Sequence, residues 1–138
     1  MPFAVAVVDE VGYAGLDESR ATRLFVATFS RRGLDLGRVG EVSIALVDPA
    51  TIRDLNYRFR SKDETTDVLS FEVDGPYGEM VGEVLVCPAC ASPTMGVEEL
   101  VVHGALHLSG MDHGKDFEGS EMARVQKAVM EEVRGEGG

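Results

Sequence analysis

The stretch Val101–His113 reads VVHGALHLSGMDH, and the fold turns on it. Val97, Leu100, Val101, Val102, Ala105, Leu106 and Leu108 make a helix that is apolar nearly all round. A helix of that kind belongs in the middle of a protein. Two histidines on it must be partnered, because a buried imidazole needs both ring nitrogens satisfied. His103 and His107 stand four residues apart, so they project from one face, one turn above the other. That spacing lets both rings reach a single ion at about 2.0–2.1 Å. Gly110 follows where a helix commonly ends in a left-handed residue. The chain then turns back and presents His113 to the same ion.

Three protein ligands with a fourth position open is the pattern of a catalytic metal, whereas a structural zinc site is closed by four. A lone histidine on an apolar helix is most often a satisfied core residue. Here all 3 histidines of the chain fall between positions 103 and 113 at ligand spacing. The spacing H-x3-H-x2-G-x2-H matches the metzincin proteases except at one residue. Those enzymes carry Glu directly after the first histidine as general base, and this chain has Gly104. Without that carboxylate, peptide hydrolysis on the metzincin template lacks its proton acceptor.

Outward from the histidine helix, the chain reads as alternating strands and helices. Phe3–Val8 is a short apolar run, expected as a strand buried on both faces. Asp17 caps a helix to about Ser30, with Ala21, Leu24, Phe25 and Thr28 inward and Arg31, Arg32 and Gly33 as its end signals. Val42–Val47 is a second strand. Asp48-Pro49 opens a short helix with Ile52, Leu55 and Phe59 as its buried stripe. Asp67–Val73 and Val81–Val86, joined by the turn formers Asp74–Gly78, read as a hairpin. Thr94 is the expected cap of the histidine helix, with Glu98 and Glu99 in its first turn. A last helix runs from about Phe117 to Val133 on Met122, Val125 and Val129. The order β-α-β-α-β-β-α-α predicts an α/β (α+β-like) domain, a mixed four-stranded sheet packed with helices.

A chain of 138 residues is the size of one domain with one core, so residues 1–138 are taken together, with 135–138 as a frayed tail. At 44% hydrophobic and 27% charged residues, it is neither disordered nor membrane-embedded in character. The apolar run near the start lacks a basic region before it and is too short to span a bilayer, which predicts a cytoplasmic protein. The net charge of −11, from 13 Lys+Arg against 24 Asp+Glu, argues against broad attraction to nucleic acid but allows a local cationic groove. Cys87 and Cys90 form a single CxxC. A zinc ribbon needs a second pair, leaving either a redox pair or two small residues at a strand end. Oligomeric state is not legible.

HGALHLSGMDH, together with NYRFRSKDETTDVLSF at Asn56–Phe71 and VGEVLVC at Val81–Cys87, resembles the YbeY family of single-strand-specific endoribonucleases. The resemblance covers about half the chain by motif and nearly all of it by order of elements. It implies an α/β domain with a zinc ion on His103, His107 and His113. It also implies a role in small-subunit ribosomal RNA maturation and ribosome quality control. By the same resemblance Arg60, before the TDVLSF segment, takes the position of an arginine used in activity. Two departures stand out: the segment between Cys87 and His103 is short, and Thr65 replaces the usual Pro before Thr66.

Zinc on three neutral imidazoles acidifies water to a pKa of about 7, suited to attack on a phosphodiester. Arg60 offers a two-pronged contact to phosphate oxygens. Arg58 and Lys62 extend a basic strip along RNA, or are simply solvated surface. Asp112 is either a partner that orients a ligand histidine or a turn residue. The partners this predicts are single-stranded RNA, with ribosomal proteins or assembly factors bringing the enzyme to it. Competing readings are another metallohydrolase (protease or amidase) and a non-enzymatic ribosome-assembly factor with a structural metal.

Overall fold

Local signals fix most elements of the computed structural model, which describes residues 3–135. The strands are β1 (Ala4–Asp9), β2 (Val39–Leu46), β3 (Val68–Asp74) and β4 (Met80–Val86). The helices are α1 (Glu18–Arg31), α2 (Pro49–Arg60), α3 (Val97–Leu108) and α4 (Glu121–Gly135). Asp17 caps α1 by accepting the Arg20 N–H at 2.7 Å, and Asp48 caps α2 by accepting the Thr51 N–H at 2.7 Å. Both satisfy donors that a helix leaves orphaned at its start. Beyond Gly135, the expected frayed tail lies outside the described residues.

The sheet order is β1-β2-β4-β3, with β1, β2 and β4 parallel and β3 antiparallel to β4. Strand alternation divides the apolar residues between two faces. Val42, Ile44 and Leu46 of β2 and Val84 and Val86 of β4 join α1, α3 and α4 in the larger core. Val47, Leu69, Leu85 and Cys87 join Ile52 and Leu55 of α2 on the other side. α3 packs on β3, β4, α1 and α4, so the histidine helix is buried as its composition requires.

Four expectations need correction. β1 is an edge strand, with Val5 buried but Val8 51% exposed. The helix on the second face, α2, packs on residues of β2, β3 and β4 instead. Phe59 is not in the buried stripe of α2; it is 65% exposed, with its ring 5.2 Å from Phe71. Asn56 turns inward and donates to the Glu64 carbonyl at 3.0 Å.

Thr94 does not cap α3. The Ser92 hydroxyl accepts the Met95 N–H at 3.0 Å, which commits Thr94 to a turn, and the cap falls to Gly96, whose N–H is accepted by Glu99 at 2.9 Å. α4 starts later than Phe117, because the Ser120 hydroxyl accepts the Ala123 N–H at 3.1 Å and caps it there. Phe117 is thereby left outside the helix, free to meet the histidines.

Candidate metal centre

Close packing of α3 on β4 sets the histidines. A Cβ on Gly104 would lie 2.6 Å from Cγ1 and 3.1 Å from Cγ2 of Val84, so only glycine lets the helix approach this closely. The residue after the first histidine therefore faces the sheet. A general base placed there, as in the metzincins, has no path to the site. With Gly104 inward, His103 and His107 look out along the cleft side of α3. Gly110, at φ 99°, ends the helix and returns His113 toward them. Ring centroids of His103 and His113 are 5.2 Å apart, and those of His107 and His113 are 5.5 Å apart.

Hydrogen bonds decide which nitrogens face inward. His107 Nδ1 lies 3.0 Å from the Met111 carbonyl and His113 Nδ1 lies 2.7 Å from the Gly114 carbonyl. A carbonyl only accepts, so both rings carry a proton on Nδ1 and keep a lone pair on Nε2. His103 Nδ1 lies 3.1 Å from Oε1 of Gln126, which completes the same arrangement. His103 Nε2 and His107 Nε2 then stand 3.2 Å apart as two acceptors facing each other.

That contact is repulsive unless a positive charge lies between or beside them. A proton is a poor answer. Burial, then the neighbouring His107, pushes the His103 pKa down to about 4. Burial likewise lowers that of His107, with the Arg60 charge acting in the same direction. A divalent ion fits better: ligand nitrogens at about 2.0–2.1 Å on a tetrahedral centre are about 3.3 Å from one another. The ligand atoms of all three histidines lie within 4.8 Å of one another. His113, the third histidine of the group, is carried on the loop after α3.

The histidines open into a cleft of about 800 Å³ that Arg60, Lys62 and Asp112 also line. Arg60 ends α2, with Nη2 donating to the Ser70 carbonyl at 3.2 Å and its guanidinium 5.8 Å from the Phe71 ring centre. Arg58 is turned to Asp54 at 3.1 Å, one turn back along α2, and is not among the cleft residues. Glu64, Asp67 and Glu72 line the same cleft, so its wall is not a continuous basic strip. Asp112 Oδ1 is 3.9 Å from His107 Nδ1, beyond hydrogen-bond range, and accepts the His113 N–H at 2.8 Å instead.

The groups that orient the rings were not legible from ligand spacing. Two are backbone carbonyls of the turn after α3, and the third is Gln126 on α4. One signal did exist: Gln126 sits four residues from Met122, in the middle of the apolar stripe of the last helix. The Phe117 ring, missed as part of the site, meets His103 and His113 edge-on at 4.8 Å and 5.0 Å. Cys87 and Cys90 are free thiols; Cys87 is fully buried, and burial pushes Cys90 up to about 11. A thiol so rarely ionised is poorly suited to redox exchange.

Comparison with known proteins bears on both halves of the cleft. A family model described as Endoribonuclease YbeY matches residues 14–134. A protein of Rubrobacter xylanophilus named Endoribonuclease YbeY is 66% identical over 136 residues, covering 98% of this chain and 99% of its own. One of the same name from Mycolicibacterium gilvum is 34% identical, over 86% of this chain and 78% of its own. The solution structure of TM1509 from Thermotoga maritima superposes with a TM-score of 0.59 at 30% identity, covering 96% of this chain and 90% of that one. Since the match takes in the arginine-bearing helix and the histidine helix together, the chain belongs to the YbeY family of endoribonucleases.

Proposed function

We propose that this chain is a single-strand-specific endoribonuclease of small-subunit ribosomal RNA maturation and ribosome quality control, with one zinc ion on His103, His107 and His113 and with Arg60 as its catalytic cation. Family membership supports the nuclease activity and RNA as its substrate. The observation that carries the mechanism is the pair of Nε2 atoms 3.2 Å apart, opening onto the cleft that holds Arg60. No membrane-crossing helix is present among the described residues. The proposal extends to a cytoplasmic enzyme acting as one domain, brought to RNA by ribosomal proteins or assembly factors. A weak general attraction to RNA, set by the −11 charge, suits that recruitment.

His103, His107 and His113 would hold a divalent ion, which when bound would supply Lewis acidity and lower the pKa of a water toward neutrality. The protein's own part is to keep His103 and His107 neutral at neutral pH, through burial of both rings and, for His107, the nearby Arg60 charge. Arg60 spends one donor on the Ser70 carbonyl, which holds the guanidinium in place. Its remaining donors are left to bind phosphate oxygens, where negative charge grows in the transition state. Lys62 adds a second cation to the wall, and the Phe117 ring packs edge-on against the His103 and His113 rings.

Among the described residues no fourth His, Cys, Asp or Glu joins the group, which favours an open, catalytic site over a structural one. Elemental analysis of gently purified protein, before any chelator or affinity resin, should find zinc near one equivalent. The His107→Ala variant should lose both the zinc and the cleavage of single-stranded RNA. Cleavage that survives in that variant refutes the catalytic centre.

A further inference from the structure

The ring protons of His107 and His113 are fixed by backbone carbonyls, which accept and never donate. His103 has a different kind of partner. Its Nδ1 faces the side-chain amide of Gln126 at 3.1 Å, and an amide presents either its oxygen or its NH2 after a half turn. Which end faces the ring decides where the ring's proton sits. With Oε1 toward His103, Nδ1 donates and Nε2 keeps its lone pair for the centre. With the NH2 there, Nδ1 must accept, the proton moves to Nε2, and the ring closes to a metal.

The other end of the amide settles the choice. Gln126 Nε2 lies 3.2 Å from Met95 Sδ, and a thioether accepts a hydrogen bond but has no proton to give. The NH2 therefore belongs beside the sulfur, and Oε1 is left for His103. Gln126 is 6% exposed, so water does not substitute for either partner. Its place in α4 lies among Met122, Val129, Met130 and Val133, where an apolar side chain would pack without the desolvation that an amide incurs. Three segments converge here: α4 with the amide, the turn before α3 with the sulfur, and α3 with the ring.

We propose that Gln126 is the positioning residue of the metal centre, an amide whose orientation, set by Met95, holds His103 with Nε2 free to bind a divalent ion. The role rests on the reading of the three histidines as a metal site, and its test separates the two. Long-range proton–nitrogen NMR of the imidazoles in metal-free protein reads the His103 tautomer directly. Zinc affinity is measured by competition with a chromophoric chelator. The wild type should show His103 protonated on Nδ1 and bare on Nε2.

Gln126→Leu removes the acceptor and leaves an apolar side chain; it should shift His103 toward the Nε2-protonated form and weaken zinc binding by about 10–100-fold. Gln126→Glu keeps an acceptor oxygen and should retain the wild-type tautomer and affinity. Met95→Leu, a mild packing change, should shift the tautomer in the same direction as Gln126→Leu. An unchanged tautomer and affinity in Gln126→Leu, or equal losses in Gln126→Glu, overturns the positioning role alone. A wild-type protein that takes up no zinc overturns the metal reading beneath it.

Discussion

Replacing Gly104 with Ala tests the contact on which the whole site is seated. The added Cβ would stand 2.6 Å, 3.1 Å and 3.4 Å from Cγ1, Cγ2 and Cβ of Val84. Ordinary carbon contacts optimise at about 3.5–4.0 Å, so two of the three are well inside repulsion. Val84 cannot rotate clear, because both its methyls already face the helix side, and it is fully buried on a strand paired on either side. Overpacking of this kind costs about 1–3 kcal/mol. Alanine returns about 1 kcal/mol through its better helix propensity. A net loss of up to about 2 kcal/mol is expected in urea unfolding of chelator-treated protein. Val84→Ala alone should cost about 2 kcal/mol for its deleted methyls. In the double variant the new Cβ occupies the vacated space, so the second substitution should cost almost nothing. A double-mutant cycle with additive losses, or a Gly104→Ala variant more stable than wild type, would refute the close approach.

Other expectations follow from the same geometry. In metal-free protein the unfolded chain protonates its histidines near 6.5, whereas folded His103 resists to about 4 and His107 is also lowered. The stabilising difference is therefore complete above about pH 6.5 and is lost as the pH falls toward 4. About 2 kcal/mol should disappear between pH 7 and 5, and denaturant titrations giving a flat profile over that window would contradict it. The Arg60→Ala variant should bind zinc as the wild type does and cleave single-stranded RNA about 100-fold more slowly; an unchanged rate removes the transition-state role. Asp48→Ala should destabilise the fold through the lost cap of α2, read as a lower urea midpoint without a change of slope.

Several features were set by sequence because their physics is local. Asp17 and Asp48 cap their helices whatever surrounds them, since the acceptor and the orphaned N–H lie three residues apart. The His103–His107 spacing puts two rings on one helical face, and the all-round apolarity of α3 requires that helix to be central. The family, too, was legible, because its two motifs sit in continuous stretches of chain. Where local signals competed, sequence misjudged the boundary: Gly96 took the cap expected of Thr94, and α4 begins after Ser120 rather than at Phe117.

What only the tertiary structure decided are pairings between segments far apart in the chain. Phe59 looked like part of a buried stripe, yet the position of β3 leaves it exposed on Phe71. Arg58 and Arg60 are two residues apart, but one turns back to Asp54 and the other lines the cleft. Gln126 is 23 residues from His103, and no pattern along the chain shows that its oxygen reaches that ring. Sequence pointed to the three histidines as a group, because their spacing is a property of one helix and one turn. The state of those rings depends on burial and on partners from other elements, and these exist only once α3 and α4 have packed together.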